Sequence, residues 1–152
     1  KPFSIELLTA QVSNLLKSRE LLNKTYLEKP LAPVTTLAVS QVDDIFLRKL
    51  NDYLEEHLGN EALSVETLAD TMGMSTSSLY RKVKGISGLS PNDFIRIARL
   101  KKAILLMQNG ENRINEIAFQ VGFSSPAYFS TCFQKQYGKS PTEYIKQTCP
   151  RA

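Results

Sequence analysis

The amino-acid sequence predicts an all-α protein: two helix-turn-helix subdomains joined by a long connecting helix, preceded by an extra helix and a linker. Two observations predict the class. Apolar residues recur at helical spacing through most of the 152 residues, and no segment alternates apolar and polar residues long enough for a strand. A third observation predicts the arrangement. The stretch "GMSTSSLYRKVKGISGLSPNDFI" from Gly73 to Ile95 is echoed by "GFSSPAYFSTCFQKQYGKSPTEYI" from Gly122 to Ile145. Repetition over such a length marks duplication of one supersecondary unit.

Ser4 can cap a first helix, in which Ile5, Leu8, Val12, Leu15, Leu16 and Leu22 keep roughly helical spacing and which fades near Thr25. Residues 26–40, "YLEKPLAPVTTLAVS", hold two prolines and no helical period, the pattern of a linker. Ser40 caps a second amphipathic helix through Ile45, Phe46, Leu50, Tyr53, Leu54 and Leu58, stopped by Gly59. Its Asp43, Asp44, Asp52, Glu55 and Glu56 are expected to face water.

The duplicated units follow, at about 64–87 and 113–137. At an offset of 49, Leu68 falls on Ile117, Ala69 on Ala118, Met72 on Val121 and Gly73 on Gly122. One residue is then inserted, and at an offset of 50 Leu79 falls on Phe129, Val83 on Phe133, Gly88 on Gly138 and Ser90-Pro91 on Ser140-Pro141. Each position has a physical reason. Ala69 and Ala118 let two helices approach closely. Gly73 and Gly122 supply the positive φ that turns the chain. Met74 and Phe123 plug the turn. Ser75 to Ser78, and Ser125 with Pro126, start the second helix of each unit, whose core stripe is Leu79 with Val83 or Phe129 with Phe133. Ser90-Pro91 opens a connecting helix over about 91–108, with Phe94, Ile95, Ala98, Leu105 and Leu106 as its apolar positions, and Ser140-Pro141 opens a final helix over about 141–148. Glu143 completes a capping box with Ser140, and Asp93 is a shorter stand-in beside Ser90.

Charge is distributed unevenly. The net charge is +4, yet residues 1–74 hold 7 Lys/Arg against 11 Asp/Glu, whereas residues 75–102 hold 7 against Asp93 alone. A basic block after an acidic one suggests a face for a polyanion, with nucleic acid as the leading candidate and a solvated helix face as the plain alternative. Other classes find little support. The single histidine, His57, ends a helix, and no Cys-His pair, metal cluster, phosphate loop or paired-carboxylate pocket is visible, so no enzyme activity, cofactor or metal is expected. Cys132 and Cys149 match no zinc or disulfide framework, which fits a reducing compartment. The chain opens "KPFSIELL", without a cleavage-type pattern, and no apolar run approaches the roughly 20 residues of a membrane span. A helical protein-interaction module without sequence-specific DNA binding is the alternative function.

The tandem "SVETLADTMGMSTSSLYRKVKGISGLSPNDFIRIARLKKAILLM" and "INEIAFQVGFSSPAYFSTCFQKQYGKSPTEYI" resembles the DNA-binding domain of AraC/XylS-type transcription regulators over about residues 41–148. The resemblance implies a homeodomain-like pair of units docking on two successive major-groove segments of double-stranded operator or promoter DNA, and contact with RNA polymerase. A second resemblance covers residues 1–25: "KPFSIELLTAQVSNLLKSRELL" is similar to the end of a response-regulator receiver domain. It implies that Lys1 is the lysine that senses a phosphorylated aspartate lying upstream, and that its bond to Pro2 is cis. It also implies control by phosphorelay, dimerisation through that upstream receiver, and no small-molecule ligand in this part. The implied setting is the bacterial cytoplasm, in a parent that can also carry a sensor histidine kinase and an inner-membrane anchor.

Outward positions of the first recognition helix are Thr76, Ser77, Ser78, Tyr80, Arg81 and Lys84. The resemblance puts Ser77, Tyr80 and Arg81 at base-reading positions. Arg81 can pair bidentately with guanine or clamp a phosphate, and Lys82 and Lys84 suit phosphates. The second recognition helix offers Ser125, Pro126, Ala127, Ser130, Thr131, Gln134 and Lys135, without an arginine. Its reach is shorter. The first unit is therefore expected to discriminate sequences and the second to position the domain. Arg96, Arg99, Lys101 and Lys102 on the connecting helix are open between backbone contacts and a solvated face.

Overall fold

A computed structural model describes residues 5–60 and 62–148, with side chains described from Lys17 to Gln147. Among these residues it contains eight α-helices, one 3-10 turn and no strand. They are α1 (Ile5–Glu28), the 3-10 turn (Val34–Leu37), α2 (Gln41–His57), α3 (Val65–Met72), α4 (Thr76–Ser87), α5 (Pro91–Gln108), α6 (Ile114–Gln120), α7 (Pro126–Tyr137) and α8 (Pro141–Thr148). Lys1, its bond to Pro2, the Ser4 cap and Cys149 lie outside the described residues.

The duplication is visible in the backbone. Gly73 sits at φ 69° and Gly122 at φ 96°. In each turn the residue after glycine donates its amide to the alanine four residues before that glycine: Met74 N to Ala69 O and Phe123 N to Ala118 O, both at 3.0 Å. Ser75 Oγ accepts from Ser78 N and Ser125 Oγ from Tyr128 N, both at 3.1 Å, so α4 and α7 start the same way. They also end the same way, on Gly88 and Gly138 at φ 76°. The starts of α3 and α6 differ. A reciprocal capping box joins Ser64 and Thr67, which the sequence reading had not placed there. At α6 the Glu111 carboxylate instead accepts from the Asn112 and Arg113 amides, both at 3.1 Å.

One core runs through both units. Leu79 and Val83 of α4 and Phe129 and Phe133 of α7 are buried, as are Leu68, Ala69, Ile117 and Ala118 behind them. Between the units, α5 buries Phe94, Ile95, Ile97, Leu100, Ala103, Ile104 and Met107. Its 18 residues make a rod of about 27 Å. Three expectations are corrected here. Leu105 is 40% exposed, and in α2 Ile45 is 62% exposed while Leu47 takes the core position. Both helices have neighbours on more than one side, so their buried stripes rotate away from the simplest period. The Asp93 amide donates to the Ser90 hydroxyl at 3.2 Å, but its carboxylate pairs with Arg96 at 2.7 Å instead of closing a capping box.

α1 continues past Thr25 to Glu28, and the stretch 26–40, read as a linker, is folded onto the rest. Tyr26, Val34 and Leu37 are buried, and the Tyr26 ring stacks on Phe94 with centroids 6.0 Å apart. The second unit abuts α2 directly. A Cβ on Gly122 would lie 2.0 Å from the Leu58 carbonyl oxygen, and one on Gly59 2.8 Å from that of Gln120. Only glycine lets these backbones touch.

Candidate nucleic-acid interface

The face of α4 opposite Leu79 and Val83 is open. Thr76, Ser77, Tyr80, Arg81 and Lys84 are exposed. Ser78 is half-buried, its hydroxyl accepting from Ser75 Oγ at 3.0 Å, so it serves the cap. Lys82 is half-buried too, with its ammonium 4.9 Å from the centre of the Phe46 ring on α2. That leaves Arg81 and Lys84 as the cations extended from this helix into solvent.

On α7, Ala127, Thr131, Gln134 and Lys135 are exposed, while Ser125, Pro126 and Ser130 are half-buried. Two hydroxyl groups are already engaged: Ser125 Oγ caps the helix, and Thr131 donates to the Ala127 carbonyl at 3.0 Å. Tyr128, which the sequence reading had passed over, is 52% exposed and meets Phe123 edge-on at 5.8 Å. An aromatic residue at the third position of α7, off the Phe129–Phe133 stripe, was the signal available for it.

Two of the four cations on the connecting helix, Arg99 and Lys101, are tied to backbone elsewhere in the fold. Arg99 donates to the Asn60 carbonyl at 3.2 Å, and Arg96 is paired with Asp93. The Lys101 ammonium donates to the carbonyls of Tyr26, Lys29 and Pro30 and lies 4.1 Å from the centre of the Tyr26 ring. Burial lowers the Lys101 pKa from 10.5 to about 8. Burial likewise pushes the phenols of Tyr26 and Tyr137 well above their ordinary value. Lys82, Arg99 and Lys101 of the basic block therefore pack against the fold, while Arg81 and Lys84 face outward.

A groove of about 830 Å³ runs beneath α4, between Thr76, Ser77, Tyr80 and Arg81 on one wall and Ser64–Glu66 with Ser90–Asn92 on the other. It shares Leu63 and Asn92 with a cleft of about 390 Å³ that reaches Ser124 and Tyr128 beside the start of α7. The two recognition helices thus border two depressions that share Leu63 and Asn92. Outside it, His57 Nδ1 lies 2.9 Å from the Tyr53 carbonyl and its ring stacks on Tyr53 at 4.2 Å, a structural role. Among the described residues there is no group of acidic, histidine or cysteine side chains that could hold a metal, and no helix long and apolar enough to cross a membrane.

Comparison with known proteins matches residues 68–147 to the family described as helix-turn-helix domain. Histidine kinase P4 of Formosa agariphila is 32% identical over 144 residues, 95% of this chain but 10% of the kinase, so the chain spans about a tenth of that relative. Among solved structures, the C-terminal domain of AraT, a response regulator from Geobacillus stearothermophilus, is 33% identical with a TM-score of 0.62, covering 70% of this chain and 88% of that one. The DNA-binding domain of AdpA, a global transcriptional factor solved with a target DNA, is 28% identical with a TM-score of 0.61, covering 69% of this chain and 96% of that one.

Proposed function

The chain belongs to the AraC-type helix-turn-helix family, and from that premise we propose that it binds double-stranded DNA sequence-specifically as the output domain of a transcription regulator. The observation that carries this reading is the pair of exposed faces on α4 and α7, each beside a depression and the two depressions sharing Leu63 and Asn92. Each helix starts and ends with the same backbone device, so the two present equivalent faces. Two such faces can enter successive major-groove segments about 34 Å apart on one side of the duplex.

Within that reading, Arg81 with Ser77 and Tyr80 discriminates bases, and Lys84 binds phosphate. Lys82, drawn toward Phe46, contributes field more than contact. The second unit positions the domain through Ser125, Ser130, Gln134 and Lys135, with Ala127 and Pro126 offering apolar contact. The likeness to a histidine kinase over 144 residues, more than the tandem alone, and to a response regulator supports control by phosphorelay through an upstream receiver. Lys1 is its phosphate-sensing lysine. Dimerisation through that receiver and contact with RNA polymerase complete the proposal.

The test is binding to duplex DNA across a salt series. Affinity for a random duplex should fall steeply as salt rises, from counterion release. Selection from a random pool should return two short blocks about one helical turn apart. Arg81→Ala should cost about 5- to 150-fold in preference for the selected duplex, corresponding to about 1–3 kcal/mol, with Thr131→Ala close to neutral. Absence of duplex binding would sink the function, and the reverse ranking of the two variants would exchange the roles of the units.

A further inference from the structure

Between the two recognition helices the surface stays concave. The 390 Å³ cleft there is lined by Asn92 and Arg96 from α5 and by Ser124 and Tyr128 from the second unit. Its walls are fixed. Gly122 lies against the Leu58 carbonyl, Arg99 is tied to the Asn60 carbonyl, and Phe123 is buried beneath Tyr128.

The chemistry of the cleft is one-sided. Among the described residues lining it are two arginines and no carboxylate, whereas the groove beneath α4 includes Glu66 and the cleft between the 26–40 stretch and α2 includes Asp52 and Glu55. Asp93 is not part of the lining, but its carboxylate, 41% exposed, holds one nitrogen of Arg96 at 2.7 Å. A guanidinium has five N–H donors, so this pairing orients the group and leaves donors for another anion. Asn92 and Ser124 are exposed, and Tyr128 is half exposed with its ring edge-on to Phe123. Arg, Ser, Asn and Tyr are the donor types that meet phosphate oxygens in protein–DNA complexes. We propose that Asn92, Arg96, Ser124 and Tyr128 form a central saddle that grips the sugar–phosphate backbone passing between the two major-groove segments. This rests on the reading of the domain as a DNA binder. The saddle adds affinity for every sequence alike and holds the two blocks in register.

Three variants of the 152-residue chain test it, each measured by fluorescence anisotropy on the selected duplex and on a random duplex across a salt series. Asn92→Asp places an anion against the phosphates, yet an acid near the start of a helix is favourable for folding. It should keep or raise the thermal midpoint while lowering affinity about ten-fold on both duplexes. Arg96→Gln should lower affinity about five- to ten-fold on both, with a log–log salt slope shallower by about 1. Gln41→Glu makes the same change of charge at the start of α2, about 25 Å along that helix from Leu58, and should bind within two-fold of the wild type. The saddle is overturned if Asn92→Asp and Arg96→Gln bind both duplexes like the wild type with unchanged slopes. It is equally overturned if they alter the selected sequence while leaving random-duplex affinity intact. A wild-type chain that binds no duplex removes the function and the saddle together, which separates that failure from the other two.

Discussion

Lys101 departs furthest from what its charge implies. It sits in a run of cations on α5, yet its ammonium closes the carbonyls of Tyr26, Lys29 and Pro30 at the end of α1. Tyr26 lies in the last turn of α1, where carbonyls have no intrahelical amide to accept from, and the Lys29 carbonyl accepts from the Ala32 amide as well. Burial lowers its pKa to about 8, from 10.5 for a free lysine. The sign of the pH effect follows. Between about pH 8 and 10.5 the unfolded chain binds more protons at this residue than the folded one, so its contribution makes stability rise with pH across that window. Below pH 8 both states hold the proton, and burying the charge carries a constant cost. In urea titrations, the wild type should gain stability relative to Lys101→Met from pH 8 to 10, with a flat difference below pH 7.5. A difference that shrank over that interval would mean that the carbonyls raise the proton affinity of Lys101 more than burial lowers it.

At the scale of elements, the two turns share a hydrogen-bond pattern but have different surroundings. A Cβ on Gly73 meets nothing within 4 Å, so Gly73→Ala should cost only the left-handed backbone, about 1–2 kcal/mol. On Gly122 the added carbon would strike the Leu58 oxygen at 2.0 Å and Arg99 at 2.9 Å, so Gly122→Ala should lose about 2–5 kcal/mol by adding overpacking to the same backbone cost. Urea denaturation of the two variants measures this, and equal losses would show that α2 does not press on the second turn. The contrast also marks what a sequence makes legible. Caps and turns at Gly73, Ser75, Ser90, Gly122 and Ser125 depend on local chemistry, and the outward faces of α4 and α7 follow from the Leu79–Val83 and Phe129–Phe133 stripes. The rotation of α2 that exposes Ile45, the contact of Gly122 with Leu58, and the diversion of Lys82 and Lys101 from the surface all depend on residues distant in the chain. Periodicity carries no information about those partners. Tyr128 was missed because its position acquires meaning only once Arg96 and Asn92 lie beside it.

Across the whole molecule, the end of α1 and the stretch after it form a strap that touches both units. Arg19 donates to the Ile86 carbonyl near the end of α4 at 3.3 Å and pairs with Asp43 of α2 at 3.2 Å. Tyr26 stacks on Phe94 of α5, and Gln136 of α7 donates to the Leu27 carbonyl at 3.3 Å. A displacement of α1 would therefore strain the first recognition helix and the second unit together. The strap should also stabilise the fold. Burying Tyr26, Val34 and Leu37 is worth about 1.5–3 kcal/mol per side chain, less the cost of ordering the segment. A chain beginning at Gln41 should thus be about 2–4 kcal/mol less stable to urea than the 152-residue chain, whereas one beginning at Lys17 keeps most of that stability because it retains Arg19 and Tyr26. Amide exchange should quicken from Ile86 to Leu89 and around Phe94 only in the shorter chain. If the chain beginning at Gln41 matched the full one in stability and exchange, the strap would contribute nothing to the fold, and motion at α1 would have no route through it to α4.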